Sequence, residues 1–245
     1  MAGAIARGWA AGEGGPTEMR FCDLDRDRAE ALAAGTGGSV TGGLADLAAA
    51  SDVVLLAVKP VALGDVAAEM GGQAPALLSV MAATPTQRLA EAFPGVPALR
   101  VMPNQPVEVR RGVLCWAAGE GLPAELRDRL VRLIGLLGTT VEVPEDRMNA
   151  AMALVSCSPA YVAIFAEALA TAGAEEGFDP AQSLGLVAET LAGTAVLLGK
   201  RDPAAIRSAV APPGGATEAG LKALDEGGFS EALAAAMNAS LERFR

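Results

Sequence analysis

The sequence predicts an α/β domain with a mostly parallel sheet, followed by an all-helical domain. Three observations predict it. Up to about residue 145, short β-rich runs alternate with helical stretches. Beyond that point few β-branched runs remain, and Ala/Leu-rich stretches follow one another. The run SDVVLLAV (51–58) is continuously apolar, as a strand buried on both faces must be. A chain of 245 residues can bury a core for one large domain or two modest ones.

The elements follow in order. EMRFC (18–22) reads as a short strand and RDRAEALAA (26–34) as a helix. After the 51–58 strand, VALGDVAAEM (61–70) is helical and ALLSVMA (76–82) is a strand. TPTQRLAEAF opens a helix, with Thr84 as its cap and Pro85 in its first position. ALRVM (98–102), GVLCWAA (112–118) and TTVEV (139–143) complete the strands. PAELRDRLVRLIGLLG (123–138) is an amphipathic helix stopping at Gly138. Helices are expected over 147–155, 159–176, 180–199, 203–210, 214–226 and 230–244. In FDPAQS and RDPAAI an Asp precedes a proline, a pattern that starts helices. The domains are therefore 1–145 and 146–245.

Composition excludes several functions. The net charge of −10, with scattered Lys and Arg, repels phosphate backbones, so nucleic acid is not an expected partner. Cys22, Cys115 and Cys157 are too far apart for a CxxC site or a disulfide framework. Histidine is absent, which removes Ser-His-Asp and Cys-His catalysis and His-based zinc sites, and no metal site is expected. No apolar run approaches the roughly 18–20 residues of a membrane span, and no signal peptide opens the chain. The expectation is a cytoplasmic protein without a membrane partner.

Strands alternating with helices, then helices alone, place a ligand at the carboxyl ends of the sheet. MAGAIARGWAAGEGG starts a helix with small residues, as where a helix N-terminus meets a pyrophosphate, so Ala2 is a candidate contact. Asp23 follows 21 residues later, a spacing that suits an acid binding ribose hydroxyls, or a plain turn. LLAVKP (55–60) ends a buried strand in Lys59 and Pro60, facing a crevice or simply solvent. In RVMPNQPVEVRRG two prolines fix the backbone around Asn104. Its amide could orient a nicotinamide or a substrate, or serve an Asx turn. APPGGATEAGL offers free N–H groups and one hydroxyl at a helix start, suited to a small carboxylate. The plain alternative is an interhelix turn capped by Thr217.

MAGAIARG, AVKP, RVMPNQPV, SPAYVAIFAEALATAG and PPGGATEAGLKALDEGGF occur in this order. Together they make the chain resemble the pyrroline-5-carboxylate reductase family over nearly its whole length. The resemblance implies a Rossmann-like dinucleotide-binding domain and a helical dimerisation and substrate domain, with active sites at the interface of a homodimer or higher homo-oligomer. It implies hydride transfer from NADPH or NADH to the C=N carbon of a cyclic imino acid, 1-pyrroline-5-carboxylate, giving L-proline. Such a reaction needs positioning more than an imidazole.

By resemblance, Ala57, Val58, Lys59 and Pro60 form the cofactor-contacting strand end. Met81, Ala82 and Ala83 lie near the nicotinamide, and Asn104 belongs to the Met-Pro-Asn motif. Gly214, Gly215, Ala216 and Thr217 match the substrate loop, with Thr217 as the catalytic hydroxyl. Asp23 lies where the family chooses its cofactor. Its acid favours a free 2′-hydroxyl, although Arg26 and Arg28 follow.

The chain also departs from the family pattern. Ser156-Cys157-Ser158 replaces a Gly-Ser-Gly, Ala211-Pro212 replaces hydroxyl residues, and Thr84 stands at a glycine position. The family's first apolar strand and Gly-x-Gly loop are missing ahead of MAGAIA. In a sheet of order 3-2-1-4-5-6 that strand is central, so its two neighbours would each expose an edge. The expectation is a shortened version of a longer protein, with Met1 an internal methionine. The alternatives are a non-catalytic or degenerate dimeric paralogue, or a reductase of another small cyclic imine.

Overall fold

The structure is a computed structural model that describes residues 1–244. It divides into two compact units, Met1–Pro159 with 241–244, and Ala160–Ser240.

The first unit opens with helix α1 (Ala2–Ala10), then β1 (Arg20–Phe21), α2 (Arg26–Thr36), β2 (Ser39–Val40) and α3 (Leu44–Ala49). It continues through β3 (Val54–Leu56), α4 (Leu63–Met70), β4 (Leu77–Ser79), α5 (Thr86–Ala92) and β5 (Ala98–Pro103). β6 (Gly112–Ala118), α6 (Ala124–Gly135), β7 (Gly138–Glu142) and α7 (Met148–Val155) follow. β3 to β7 form one five-stranded sheet in sequence order, parallel except for the β5–β6 pair. β1 and β2 pair in parallel as a separate two-stranded sheet. Among the described residues, β1 and β2 do not pair with the five-stranded sheet.

Two apolar layers cover the five-stranded sheet. Leu47, Val66, Met70, Leu77 and Phe93 form one, beneath α3, α4 and α5. Ile5, Trp9, Leu99, Leu130 and Ile134 form the other, under α1 and α6. α1 can approach the 105–109 turn because Gly8 has no side chain: a Cβ there would lie 2.2 Å from the Val107 carbonyl oxygen. Arg7 on α1 bonds Glu108 at 2.7 Å, and this guanidinium holds the Glu108 carboxyl below the ordinary range. That small contribution is present above the ordinary carboxylate pKa and is lost as pH falls through the lowered one.

The packing boundary lies beyond the compositional one at residue 145. α7 is helical by composition, yet Met148 and Met152 bury against Met102 and Cys115 of β5 and β6. β2 and α3 were not anticipated. A two-residue strand flanked by glycines carries almost no periodicity, and pairing with β1 makes it a strand. The expected Thr84 cap is absent as well. Pro85 is the N-cap residue of α5, and Thr84 donates instead to the Ala82 carbonyl at 3.0 Å.

In the second unit lie most of α8 (Ser158–Glu175), then α9 (Pro180–Leu198), α10 (Pro203–Val210), α11 (Ala216–Glu226) and most of α12 (Phe229–Glu242). The Asp-Pro starts behave as expected. Asp179 accepts from the N–H groups of Ala181 and Gln182, and Asp202 from that of Ala204. Phe165 and Phe229 meet edge-to-face at 6.3 Å, and Ser183 donates to the Ala170 carbonyl at 2.7 Å.

The expectation that no apolar run approaches a membrane span requires correction. Glu145–Glu175 and Pro180–Leu198 are long and apolar enough to cross a membrane by length and composition. Single polar residues such as Glu167 and Glu189 interrupt the runs but leave mean hydropathies of 1.6 and 1.4. Only 11% of each apolar stretch is buried, and Ile164, Leu186 and Val196 are 65%, 53% and 60% exposed. A patch of this kind marks an interaction surface.

Candidate functional site

Four of the sequence-predicted residues, Ala2, Asp23, Ala57 and Val58, line one cavity of about 510 Å³ in the first unit. α1 has no acidic residue in its first turn and no side chain capping its N-terminus, so its leading N–H groups are free of internal partners. Asp23 ends β1. Its Oδ1 accepts from the Asp25 N–H at 3.0 Å, and its Oδ2 lies 4.0 Å from Arg28. Lys59 and Pro60 follow Val58 directly: Lys59 is the exposed N-cap of a 3-10 turn, Pro60–Ala62, and makes no ion pair among the described residues.

Cys22, which the sequence did not single out for this role, also lines the cavity. Burial pushes its thiol pKa up, a hydrogen bond with Thr41 opposes that rise, and Glu69 and Asp23 reinforce it. Such a thiol is a poor nucleophile.

Met81, Ala82 and Ala83 form the turn after β4. Met81 is 1% exposed and its N–H donates to Ser79 Oγ at 3.4 Å, while Ala82 and Ala83 face solvent. The left-handed residue of this turn is Ala83, with φ +48, not Thr84, which is fully buried. Ala83 is thus the position whose backbone suits glycine. Ala83→Gly is expected to stabilise the fold by about 1 kcal/mol, raising the melting temperature by ~2–4 °C in a thermal scan.

Asn104 is 9% exposed and committed within the first unit. Its Oδ1 accepts from the Val113 N–H at 2.9 Å, and its Nδ2 donates to the Val155 carbonyl at 3.4 Å. Ser156 Oγ donates to the Pro103 carbonyl at 2.8 Å beside it, and Ser158 Oγ to the Leu154 carbonyl. The serines that replace glycines therefore bond backbone.

Gly214, Gly215, Ala216 and Thr217 lie in the second unit. The glycine N–H groups are not free as expected. Gly214, at φ +76, donates to Glu218 at 2.7 Å, and Gly215 donates to the Pro212 carbonyl at 2.9 Å. Gly215, not Thr217, is the N-cap residue of α11, which begins at Ala216. The amides left without intrahelical partners are those of Ala216, Thr217 and Glu218, with the exposed Thr217 hydroxyl beside them. Glu218 was missed, although a Glu three residues after an N-cap habitually reaches back to its amides. No cluster of three or more metal-ligating side chains exists among the described residues.

Residues 145–245 match the sequence model for pyrroline-5-carboxylate reductase dimerisation. Residues 1–83 match that of NADP oxidoreductase, coenzyme F420-dependent. The pyrroline-5-carboxylate reductase of Synechocystis is 36% identical over 79% of this chain and 74% of its own. This chain belongs to the pyrroline-5-carboxylate reductase family. The family's Aquifex aeolicus reductase is 33% identical over 80% of this chain and 76% of its own. The solved reductase of Streptococcus pyogenes superposes with a TM-score of 0.87 at 27% identity, over 100% of this chain and 94% of the other. That of Plasmodium falciparum, solved with NADP bound, gives 0.87 at 24% identity over 98% and 92%, and supports the fold. A pyrroline-5-carboxylate reductase thus has the same order of α/β and helical parts seen here, and the family's dimerisation region supports a homo-oligomer acting on a small molecule.

Proposed function

We propose that the protein reduces 1-pyrroline-5-carboxylate to L-proline with NADH or NADPH, as a cytoplasmic homodimer. The observation that carries this reading is family membership together with the cavity that gathers Ala2, Asp23, Ala57 and Val58. These residues fit a dinucleotide: small side chains and free N–H groups at the start of α1 for the pyrophosphate, and a carboxylate at the end of β1 for ribose hydroxyls. Lys59, Pro60, Met81, Ala82, Ala83 and Asn104 complete the proposed cofactor set, Asn104 by bracing the end of β5. The dinucleotide, when bound, supplies the hydride. What remains for the chain is to hold the imine close and oriented, which can account for much of such a barrier. Gly214, Gly215, Ala216 and Thr217 form the proposed substrate loop, where helix-start amides hold the carboxylate and Thr217 donates to the ring nitrogen. The three unpaired cysteines are in keeping with a reducing compartment.

Arg26 is paired with Glu30 at 2.7 Å, and Arg28 with Asp25 at 3.6 Å. Both cations already face carboxylates, and Asp23 repels a 2′-phosphate, which favours NADH. Asp23→Ser is expected to shift the kcat/KM ratio toward NADPH about tenfold, in line with ~1.4 kcal/mol of lost repulsion.

The test of the activity is oxidation of NADH by the purified chain with 1-pyrroline-5-carboxylate, and with a panel of other cyclic imines. Turnover of the named substrate supports the reading. Binding without turnover favours a non-catalytic paralogue, and preference for another imine favours a different reductase. Thr217→Val should lower kcat/KM about 2- to 10-fold, the worth of a hydrogen bond of ~0.5–1.5 kcal/mol to a neutral imine nitrogen.

A further inference from the structure

Arg100 carries a guanidinium into the middle of β5, where it is 2% exposed. A buried ion pair is a poor source of stability, because apolar side chains of like volume commonly do as well. What it does supply is fixed geometry. The register sets Arg100 beside Ser79, the last residue of β4. Arg100 is thus level with the point where the chain leaves the sheet for the 80–85 turn, which carries Met81, Ala82 and Ala83. Its Nη1 donates to Glu145 Oε1, and the same oxygen accepts from the Thr86 N–H at 3.4 Å, just past the turn. One carboxylate oxygen therefore joins β5 to the start of α5.

The side-chain bonds inside the turn are local. The Met81 N–H donates to Ser79 Oγ, and the Thr84 hydroxyl to the Ala82 carbonyl, each across two residues. Ala83 takes a left-handed backbone, which a residue with a Cβ resists. Such a conformation persists where its surroundings fix it from both sides. β4 fixes one side and Glu145 the other. Glu145 is itself held in place by a row along β5. Arg100, Met102 and Asn104 alternate onto one face. Arg100 meets Glu145, Met102 packs with Met148 and Met152, and Asn104 Nδ2 donates to the Val155 carbonyl at 3.4 Å. These are the start, middle and end of the 145–155 segment, which lies along β5 in one register. The turn and Asn104 follow the carboxyl ends of adjacent parallel strands, where a doubly wound sheet places its ligand.

We infer that Glu145 is a positioning residue for the reduction, anchored by Arg100: it fixes the 81–83 turn relative to Asn104, and with them the nicotinamide end of the proposed cofactor site. This inference rests on the reductase reading. Glu145 acts through the turn and not on the substrate, so its loss should appear in kcat and leave dinucleotide affinity nearly untouched.

The test uses two double variants that bury no charge. Arg100→Met, Glu145→Gln keeps an acceptor for the Thr86 N–H but loses its anchor, and Arg100→Met, Glu145→Met loses both. Thr86→Pro serves as a third variant. It removes only the donor, at the first position of α5 where proline is tolerated, and leaves the ion pair whole. With 1-pyrroline-5-carboxylate saturating, kcat is expected to fall about threefold in the glutamine variant, about 30-fold in the methionine variant and about tenfold in Thr86→Pro, with KM for the dinucleotide moving less than about threefold. The Leu89 N–H, which donates to the Pro85 carbonyl at the start of α5, should exchange about tenfold faster in the methionine variant than in the glutamine one. Equal kcat in the two double variants overturns the inference, as does a wild-type kcat in Thr86→Pro or a loss confined to KM. A wild-type chain without turnover would instead count against the reductase reading. The hold on the turn is then decided by Leu89 exchange alone, and equal rates in the two double variants overturn it.

Discussion

Glu145→Ala is expected to destabilise the first unit by about 3 kcal/mol and lower its melting temperature by ~6–12 °C. The cause is Arg100, which is 2% exposed in the middle of β5, in register with Ser79 of β4 and Ala117 of β6. Its Nη1 bonds Glu145, while Nε and Nη2, like Glu145 Oε2, have no hydrogen-bond partner among the described residues. One ion pair therefore carries nearly all the compensation for burying a guanidinium. Removing the carboxylate leaves that charge in an apolar layer, a loss of ~3–5 kcal/mol for a buried pair. Glu145 is about one-third open to solvent, with a side-chain exposure of 34%, which places the effect at the low end. Glu145 also accepts from the Thr86 N–H at 3.4 Å, so the start of α5 loosens with it. The double substitution Arg100→Met, Glu145→Gln removes the charge and keeps a partner for Thr86. It should recover most of the loss in a denaturant or thermal titration. If the double variant is no more stable than Glu145→Ala, the stranded-charge explanation is wrong.

Ile164→Glu should weaken self-association at least 100-fold, about 2.8 kcal/mol, while leaving the helices of the second unit folded. Ile164 is 65% exposed on α8, so its side chain contributes little to the core of one chain. Val162, Leu186 and Val196 on α8 and α9 are exposed as well, apolar area that water should not wet in the working protein. That surface lies within residues 145–245, the region matching the family's dimerisation model. A carboxylate buried there by a second copy lacks a cation and must be desolvated. Sedimentation across a concentration series would show the monomer, and circular dichroism would show intact helix. An unchanged oligomer would move the interface elsewhere. Because the proposed active sites lie at the interface, activity should fall with the monomer fraction.

Much of this was legible in the residues. The strand at 54–56 announced itself by an unbroken apolar run, and the Asp-Pro pairs marked the starts of α9 and α10 through local hydrogen bonds. Such signals depend on near neighbours in the chain, so the sequence carries them whole. Arg100 stood as one charge inside ALRVM and could have been noticed. Its partner 45 residues later could not, because the fold alone brings Glu145 to it. Asn104 shows the same limit: two prolines revealed that its amide is held, but only the structure showed Val113 and Val155 at its two ends.

By itself, the sequence determined the family, the order of α/β and helical parts, and the residue types at the proposed cofactor and substrate loops. These rest on local pattern and on motifs in register. Tertiary structure decided where packing divides the chain, because Met148 and Met152 choose β5 and β6 over the helices that follow. It decided that Glu218 occupies the Gly214 amide, and that Ala83, not Thr84, takes the left-handed backbone. It also decided the shape of the opening beside α1. Two strand edges and two apolar layers there enclose a cavity of about 510 Å³.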